Sequence, residues 1–174
     1  MNLGLENKTV FISGSSRGIG KAIARSFINE GARVVINGRD EASLKETYNE
    51  LMRVSPFVDA RAGDVADVKT MRRIADDFIS SRGAPDILVA NLGSGKARAS
   101  DALSPDEWRQ FFEINVYSAL NVMSAFLPAM REKRSGAIVL ISSIAGIERT
   151  RAPLGYAAAK SSLLTLVKNM SVEL

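Results

Sequence analysis

The chain has 174 residues, of which 46% are hydrophobic and 24% are charged, a balance typical of a globular protein that buries a substantial core. It contains no histidine and no cysteine, which excludes Ser-His-Asp and Cys-His catalysis, zinc sites built on those residues, and disulfides, and we expect no bound metal. The net charge of +4 comes from scattered basic residues, so nucleic-acid binding is not expected, and a phosphorylated or otherwise acidic small molecule fits the charge equally well.

The start of the chain, MNLGLENKTVFIS, lacks the basic region, sustained apolar core and small-residue cleavage site of a signal peptide. No apolar run approaches the length needed to cross a membrane. The sequence therefore predicts a cytoplasmic protein with no membrane partner. Its length favours one domain, residues 1–174.

Short apolar runs alternate with helical patterns along the chain. The predicted strands are residues 8–13, 33–37, 57–62, 86–90 and 137–141. The predicted helices are residues 21–31, 41–52, 69–81, 104–133 and 154–174, the fourth interrupted or kinked near Pro128. This alternation predicts an α/β fold, a doubly wound Rossmann-type parallel sheet with helices on both faces.

The first strand runs into a glycine-rich turn, Gly14-Ser-Ser-Arg-Gly18-Ile-Gly20, that opens a helix. Glycine permits unusual backbone angles and close approach of phosphates, while the amides of the new helix favour negative charge. A tight turn that binds nothing is the alternative, weakened by the three glycines, two serines and one arginine. The turn therefore predicts a cofactor-phosphate site. Its candidate contacts are Gly14, Ser16, Arg17, Gly18, Ile19 and Gly20.

Arg39 and Asp40 follow the second predicted strand. In dinucleotide-binding folds an acid at this point binds the ribose 2′-hydroxyl, whereas an arginine accommodates a 2′-phosphate. Arg39 occupies that place, and Arg17 in the glycine turn could reach the same phosphate, which favours NADP(H). Two alternatives stay open: Arg39 pairs with a neighbouring acid such as Asp40 or Glu41, and Asp40 itself binds NAD.

Tyr156 and Lys160 are four residues apart in a predicted helix, so both side chains project from one face. An ammonium beside a phenol favours the phenolate and would let the tyrosine exchange a proton nearer neutral pH. Ser143 follows the fifth predicted strand, at the sheet edge where ligands gather. By itself the pair fits equally well a partly exposed tyrosine at the edge of a helix face beside a solvated lysine. Motifs elsewhere in the chain are needed to choose between the two interpretations.

Ser13-Gly14-x-x-x-Gly18-x-Gly20 and Tyr156-Ala-Ala-Ala-Lys160 together resemble the short-chain dehydrogenase/reductase family, whose turn has threonine where this chain has Ser13. Both segments look most like those of 3-oxoacyl-carrier-protein reductases and their sugar or polyol relatives. The resemblance implies an oxidoreductase that interconverts a carbonyl and a secondary alcohol by hydride transfer, with NADPH favoured over NADH.

The same resemblance implies catalytic roles for four residues. Ser143, thirteen residues before the tyrosine, would hydrogen-bond the substrate carbonyl, and Tyr156 would donate the proton. Lys160 would hold the cofactor ribose and lower the pKa of the tyrosine, so both Tyr156 and Lys160 also count as cofactor contacts. Asn115, in an Asn-x-x-Ser context, would connect Lys160 to solvent through water.

Further cofactor contacts follow from the resemblance at the ends of the third and fourth strands. Asp64 would contact the adenine by its side chain and Val65 by its backbone, although Asp64 suits a helix cap equally well. Asn91 and Gly93 would support the sheet and line the cofactor cleft, with Leu92 adding bulk where the family usually has alanine. Lys96 and Arg98, in the loop that follows, fit either an acidic substrate group or solvated charges.

The helical region 104–133 opens with the capping signals of Ser104-Pro-Asp-Glu107, and its apolar surface is broader than one sheet contact needs. With residues 154–174 it predicts a homodimer or homotetramer. Family members usually continue through further strands and a substrate-covering region, so we expect a domain truncated at its C-terminus, with strand 137–141 at an exposed sheet edge. The competing interpretations are a non-catalytic NADP-binding or regulatory protein and an inactive partial chain.

Overall fold

A computed structural model describes residues 3–95 and 102–174, and its core is a five-stranded sheet in which every pairing is parallel. The strands are β1 (Thr9–Ile12), β2 (Arg33–Gly38), β3 (Val58–Ala62), β4 (Ile87–Ala90) and β5 (Ala137–Leu140). Their order across the sheet is β3-β2-β1-β4-β5. The predicted Rossmann-type architecture is confirmed.

Helices connect the strands and cover the sheet. They are α1 (Gly18–Asn29), α2 (Glu41–Met52), α3 (Val68–Arg82), α4 (Pro105–Phe112), α5 (Ser118–Lys133) and α6 (Leu154–Glu173). The predicted start of α4 is confirmed, because Ser104 and Glu107 form a reciprocal capping box with proline at the first position.

Alternate residues of β1 enter two separate cores, as the period of a strand requires. Val10 and Ile12 belong to the core that includes residues of α1 and α2, and Phe11 belongs to the core that includes residues of α3, α5 and α6. In that second core Phe11, Phe78 and Phe126 form a cluster with ring centroids 4.9 to 6.0 Å apart, within the range of favourable aromatic pairs. Rigid packing on both faces fixes the carboxyl ends of the strands.

The strand order reverses at β1, because the chain first builds outward to β2 and β3 and then returns to β4 and β5. In open α/β sheets, the crevice between the carboxyl ends of the strands on either side of such a switch point is where ligands bind. Here the crevice lies between the turn after β1 and the residues after β4. The topology thus brings the glycine turn and Asn91 to one place.

The helical region 104–133 is irregular, but the irregularity does not lie at Pro128, where the sequence predicted it. The helix α5 runs through Pro128 without interruption, and the irregularity is a π-helical turn, Glu113–Tyr117, between α4 and α5. The predicted interruption near Pro128 is therefore wrong. The wider turn lies instead at Asn115, and such π-bulges occur frequently at functional sites.

The strand β5 is the edge of the sheet within the described residues, and Val139 is 42% exposed. A groove lies beside it between α5 and α6, and none of its lining residues belongs to the candidate site. Its apolar lining includes Met123, Met130, Ile138, Leu140 and Met170.

Asp86 joins three elements at the opposite, amino-terminal edge of the sheet. Its carboxylate accepts hydrogen bonds from the Thr9 amide at 2.8 Å, the Thr9 hydroxyl at 3.0 Å and Lys133 Nζ at 2.7 Å. Partial burial alone would raise the pKa of Asp86, but the bonds from Lys133 and Thr9 outweigh it and hold the pKa below 3.8. The carboxylate therefore ties β1 and α5 to the start of β4.

We expect Asp86→Asn to lower the free energy of unfolding by about 2 kcal/mol at pH 7, since it removes the charge and one of the two acceptor oxygens of a partly buried carboxylate. The pKa of Asp86 is lower in the folded protein than in the unfolded chain. The stability that its charge contributes is therefore complete at pH values above the unfolded-state pKa, and it is lost as the pH falls through the folded-state pKa. Urea unfolding at pH 7 and pH 3 should show the difference between the variant and the original protein narrowing in acid. Asp106→Asn, which removes an exposed ion pair with Arg109, is the control and should have little effect at either pH. A difference that does not depend on pH would contradict the role of the Asp86 charge.

Candidate active site

The glycine turn needs its glycines for backbone angle and for space. Gly14 and Gly18 have φ angles of +60° and +56°, the left-handed region that favours glycine. At Gly20 a Cβ atom would lie 2.5 Å from Asn91 Nδ2 and would overlap the carbonyl oxygen of Gly14. The helix α1 therefore begins in direct contact with the ends of β1 and β4.

Buried hydroxyl and amide groups hold the turn in this shape. The Ser15 hydroxyl donates to the Ile12 carbonyl at 2.6 Å and accepts from the Asn37 amide at 2.8 Å. The Asn91 side chain donates to the Gly14 carbonyl at 2.8 Å, and its backbone amide donates to the Ser13 hydroxyl at 3.1 Å. Asn91 thus supports the sheet at the switch point, and Ser13 supplies the hydroxyl that threonine usually supplies in the resembled family.

The amino terminus of α1 has no side-chain cap, since Arg17 at the capping position makes no such bond. Uncapped amides at this end favour an anion. Ile19 in the first turn is 65% exposed, an unusual value for an isoleucine at the mouth of a crevice. Ser16 packs beside Gly38 at the end of β2, where a Cβ atom would lie 2.9 Å from Ser16 Oγ.

Arg39 pairs neither with Asp40 nor with Glu41 in the structure. Its guanidinium lies 3.6 Å from the carboxylate of Asp64, and its side chain is 75% exposed. Asp40 instead caps α2 by accepting from the Ser43 amide at 2.8 Å. Hydrogen bonding to Ser43, with a smaller contribution from the charge of Arg17, lowers the pKa of Asp40 below its usual value. Arg39 therefore does pair with an acid, but with Asp64 after β3 and not with the two acids that follow it in sequence, and Asp40 is engaged as a cap.

Asp64 is not the cap of the following helix, because Asp67 performs that role by accepting from the Thr70 amide. Asp64 accepts from the amide of Ala66 at 2.9 Å within the turn itself. The buried Val65 contributes its carbonyl to a bond from Asn121 Nδ2 at 3.2 Å, and Ala66 does the same at 2.9 Å.

Two asparagines that organise this side of the crevice were not predicted. Asn121 on α5 donates to the carbonyls of Val65 and Ala66 in the turn after β3. Asn37 donates to the carbonyls of Arg61 at 2.9 Å and Gly63 at 3.1 Å. A mid-helix asparagine is a poor helix former, and that signal was available for Asn121 as it was for Asn115.

Lys160 is buried to 3% exposure, so the interpretation as a solvated lysine is wrong. Its Nζ donates to the Ile141 carbonyl at 2.9 Å and approaches the Leu92 carbonyl at 3.5 Å. No carboxylate forms an ion pair with it in residues 3–95 or 102–174. Burial lowers the pKa of Lys160 from 10.5 to about 8.

Asn115 is fully buried in the π-helical turn, and its side chain holds the loop after β4. Its Oδ1 accepts from the Ser94 amide at 2.9 Å, and its Nδ2 donates to the carbonyls of Ser94 at 3.1 Å and Phe111 at 2.9 Å. A Cβ atom on Gly93 would lie 2.7 Å from Lys160 Nζ and 2.9 Å from Asn115 Oδ1. Gly93, Asn115 and Lys160 therefore meet at one point.

Tyr156 lies one helical turn before Lys160 on α6, half-buried, with its ring beside Gly95. Gly155 next to it packs against the ring of Phe111, which brings α6 close to α4. Ser143 is half-buried directly after β5, and its hydroxyl accepts from the Ala145 amide at 3.2 Å, which leaves its own proton free to be donated. Among the described residues, no hydrogen bond links Ser143 to Tyr156.

Leu92 does not extend freely into the crevice. Its side chain packs against the core around Phe11, and a Cβ atom on Gly14 would lie 3.2 Å from Leu92 Cδ1. The added bulk therefore covers the glycine turn. Lys96 and Arg98, predicted as loop charges or substrate contacts, lie outside the described residues.

The described residues offer neither a metal site of acidic, histidine or cysteine residues nor a membrane-spanning helix. In the described part of the chain, no group of three or more acidic, histidine or cysteine residues is arranged to hold a metal ion. None of the described helices is both long and apolar enough to cross a membrane.

Residues 8–174 match the family model described as short chain dehydrogenase. The chain belongs to the short-chain dehydrogenase family. The match includes the glycine turn, Asn115, Ser143, Tyr156 and Lys160.

Curated relatives of this short-chain dehydrogenase include oxidoreductases and a carrier-protein reductase. The oxidoreductase YvrD of Bacillus subtilis is 37% identical over 171 residues, which are 98% of this chain and 64% of the relative. The 3-oxoacyl-acyl-carrier-protein reductase FabG of Chlamydia muridarum is 35% identical over an alignment of 179 positions, which covers 99% of this chain and 70% of the relative. The chain spans 64% of the length of the first curated relatives that it matches.

Solved structures of the family have the same fold and include complexes with both nicotinamide cofactors. L-Sorbose reductase of Gluconobacter frateurii, complexed with NADPH and L-sorbose, has a TM-score of 0.91 at 31% identity, over 99% of this chain and 66% of its own. A 7α-hydroxysteroid dehydrogenase, complexed with NADH and 7-oxo glycochenodeoxycholic acid, has a TM-score of 0.91 at 30% identity, over 99% of this chain and 67% of its own.

Proposed function

We propose that this short-chain dehydrogenase is an NADP(H)-dependent oxidoreductase that interconverts a carbonyl and a secondary alcohol. One observation carries the proposal: Lys160 is buried with no counter-ion among residues 3–95 and 102–174, beside Gly93 and Asn115 and one helical turn from Tyr156. Burying an unpaired ammonium costs free energy, so a fold that does so at the mouth of a crevice is using that charge. The candidate substrates are of 3-oxoacyl, sugar or polyol type, the classes implied by the resemblance.

The glycine turn fits a dinucleotide. Its glycines leave a cradle that a side chain would fill, and the uncapped end of α1 presents amides to a pyrophosphate. When bound there, NADPH supplies a hydride to the carbonyl carbon. We assign the adenine contacts to Asp64 and Val65, and the wall of the cleft to Asn91 and Gly93.

The proton that completes the reduction comes from the protein. Tyr156 donates it to the carbonyl oxygen while Ser143 hydrogen-bonds that oxygen, so the product is the neutral alcohol. The Lys160 ammonium stabilises the resulting phenolate and binds the cofactor ribose. Because the pKa of Lys160 is about 8, its charge is maintained at neutral pH and is lost as the pH rises above that value. Asn115 holds the adjoining loop and connects Lys160 to solvent through water.

Arg39 supports NADP(H) over NAD(H). It stands at the end of β2, largely exposed, and the acid beside it is engaged as the cap of α2. Arg17 lies near enough to the start of α2 for its charge to lower the pKa of Asp40. Two guanidinium groups beside the expected 2′-position suit a phosphate better than a hydroxyl.

We expect Arg39→Ala to weaken NADPH binding about 10-fold to 100-fold, the loss of a charge-assisted bond, and to leave NADH binding nearly unchanged. Separate fluorescence titrations with the two cofactors measure this. Arg25→Ala is the matched control, because Arg25 also forms an exposed ion pair of 3.6 Å, with Glu50, but on the outer side of α1. Equal affinities for NADPH and NADH in the original protein would remove the role given to Arg39.

The reaction itself is tested by following NADPH absorbance with ethyl acetoacetate, a 3-oxoester, and with L-sorbose, a keto sugar. Consumption of NADPH with formation of the alcohol supports the proposal. NADPH binding without consumption on either class would favour the alternative of a non-catalytic NADP-binding or regulatory protein. If the protein does not bind NADPH, both the proposed oxidoreductase activity and the alternative of a non-catalytic NADP-binding protein are overturned.

We also propose association into a homodimer or homotetramer through residues 104–133 and 154–174. The supporting observation is exposed apolar surface on these elements: Tyr117 is 49% exposed and Val167 is 43% exposed. Light scattering coupled to size-exclusion chromatography measures the mass in solution. A monomer at micromolar concentration would contradict this proposal.

A further inference from the structure

The residues that follow β5 bind both the side-chain ammonium and the backbone carbonyl of Lys160. The Ile141 carbonyl accepts from Lys160 Nζ at 2.9 Å, and the hydroxyl of the next residue, Ser142, donates to the backbone carbonyl of Lys160 at 2.7 Å. The other acceptor near the ammonium, the Leu92 carbonyl, is 3.5 Å away, beyond the usual length of such a bond. The position of the ammonium therefore depends mainly on where Ile141 is held.

The segment after Ser143 is fixed to the same point of α6. It forms a 3-10 turn, Ile144–Gly146, whose last residue lies against the helix backbone. A Cβ atom on Gly146 would lie 2.8 Å from the Ser161 nitrogen and 2.9 Å from the Lys160 carbonyl carbon. Ser143 is thus located between two attachments to one peptide unit of α6, the Ser142 bond before it and the Gly146 contact after it.

We propose that Ser142 is a positioning residue whose hydroxyl fixes the end of β5 to α6, and so sets where Ile141 holds the Lys160 ammonium and where Ser143 stands relative to Tyr156. The chemical roles of these neighbours rest on the proposed function, but the attachment does not. Lysine has four flexible side-chain bonds, and Lys160 has no counter-ion in the described chain, so the Ile141 carbonyl is the polar group that holds its head most closely.

The chain contains a matched comparison for this bond. The Ser162 hydroxyl donates to the Ala159 carbonyl, also at 2.7 Å and also half-buried on α6. That bond joins residues of one helical turn and connects no second element. Removing it tests the loss of a hydroxyl from α6 without loss of the attachment to β5.

The test follows the titration of Lys160 by NMR in protein labelled with ¹³C at lysine Cε, with the resonance assigned by Lys160→Arg. In the original protein the midpoint is expected near 8. Ser142→Ala should raise it toward 10.5 by about one pH unit or more, because a freed ammonium reaches water. Ser142→Thr, which keeps the hydroxyl, and Ser162→Ala should both leave the midpoint in place.

Tyr156 is the titratable side chain one turn away on α6, so the titrations are repeated with Tyr156→Phe to remove its contribution. If Ser142→Ala does not fold, the titration midpoint of Lys160 is measured in Ser142→Cys instead, since a thiol keeps the volume of the side chain but is a weak hydrogen-bond donor. An unchanged midpoint in a folded Ser142 variant would overturn the proposal. Thermal unfolding is measured in parallel to establish folding.

The kinetic readout separates this inference from the proposed function. With NADPH and ethyl acetoacetate, Ser142→Ala should lower kcat with little change in the KM for NADPH, while Ser142→Thr and Ser162→Ala behave like the original. If the protein consumes no NADPH, the titration still tests the attachment. A shifted midpoint without turnover supports the positioning role and counts against the proposed reaction alone.

Discussion

Replacing Tyr156 by phenylalanine is expected to lower carbonyl reduction by about 100-fold to 10,000-fold, the range of a lost general acid. Phenylalanine keeps the ring, which packs beside Gly95, and removes only the hydroxyl proposed to donate the proton. Since the glycine turn and Arg39 lie on other elements, NADPH binding should be nearly unchanged. NADPH consumption measures the first effect and a fluorescence titration the second.

Tyr48→Phe is the matched control for this prediction. Tyr48 is a half-buried tyrosine on α2 that packs on the opposite core, so its substitution deletes a hydroxyl away from the proposed chemistry. It should retain the original rate. A Tyr156→Phe variant that reduces carbonyls at the original rate would show that the proton comes from elsewhere, and the proposed mechanism would be wrong.

A methyl group at Gly93 should disable the site without unfolding the protein. In Gly93→Ala the Cβ atom would start 2.7 Å from Lys160 Nζ and 2.9 Å from Asn115 Oδ1, so the lysine head must move. The flexible lysine can yield at small cost in stability, whereas a displacement of about 1 Å at a reacting group can reduce the rate about 100-fold. We therefore expect a loss of that order in kcat/KM with thermal unfolding little changed.

Gly95→Ala provides the comparison two residues further along the same loop. There a Cβ atom would lie 3.6 Å from the Tyr156 ring, an ordinary van der Waals contact that requires no displacement. This variant should be far more active than Gly93→Ala. If Gly93→Ala retained full activity while properly folded, the close approach of Gly93 to Lys160 would not control the chemistry.

Local patterns in the sequence were sufficient for the fold. Each predicted strand is a short apolar run between turn signals, and each predicted helix has a periodic apolar face, so element type followed from neighbours in sequence. The capping box at Ser104 is local in the same sense. The predicted interruption near Pro128 was wrong, since α5 runs through that proline, and the irregular turn forms instead at Asn115, whose side chain binds the loop after β4.

The sequence predicted which residues form the candidate site, and the structure showed which groups these residues bind. Asp40 and Asp64 each offered two uses in sequence. Hydrogen bonds in the folded chain showed that Asp40 caps α2 by accepting from the Ser43 amide, whereas Asp64 accepts from the Ala66 amide and leaves the capping of α3 to Asp67. Asn37 and Asn121 were missed because their acceptors are backbone carbonyls 24 to 56 residues away. No local pattern encodes such pairings.

The sequence by itself therefore determined the order of strands and helices, the glycine turn and the face that Tyr156 and Lys160 share, because each depends on a few consecutive residues and on helical or strand periodicity. Only the tertiary structure decided that Lys160 is buried, that its head meets Gly93 and Asn115, and that Ile141 and Ser142 attach β5 to it. Burial lowers the pKa of Lys160 to about 8, and burial is a property of the assembled layers, which no segment has alone.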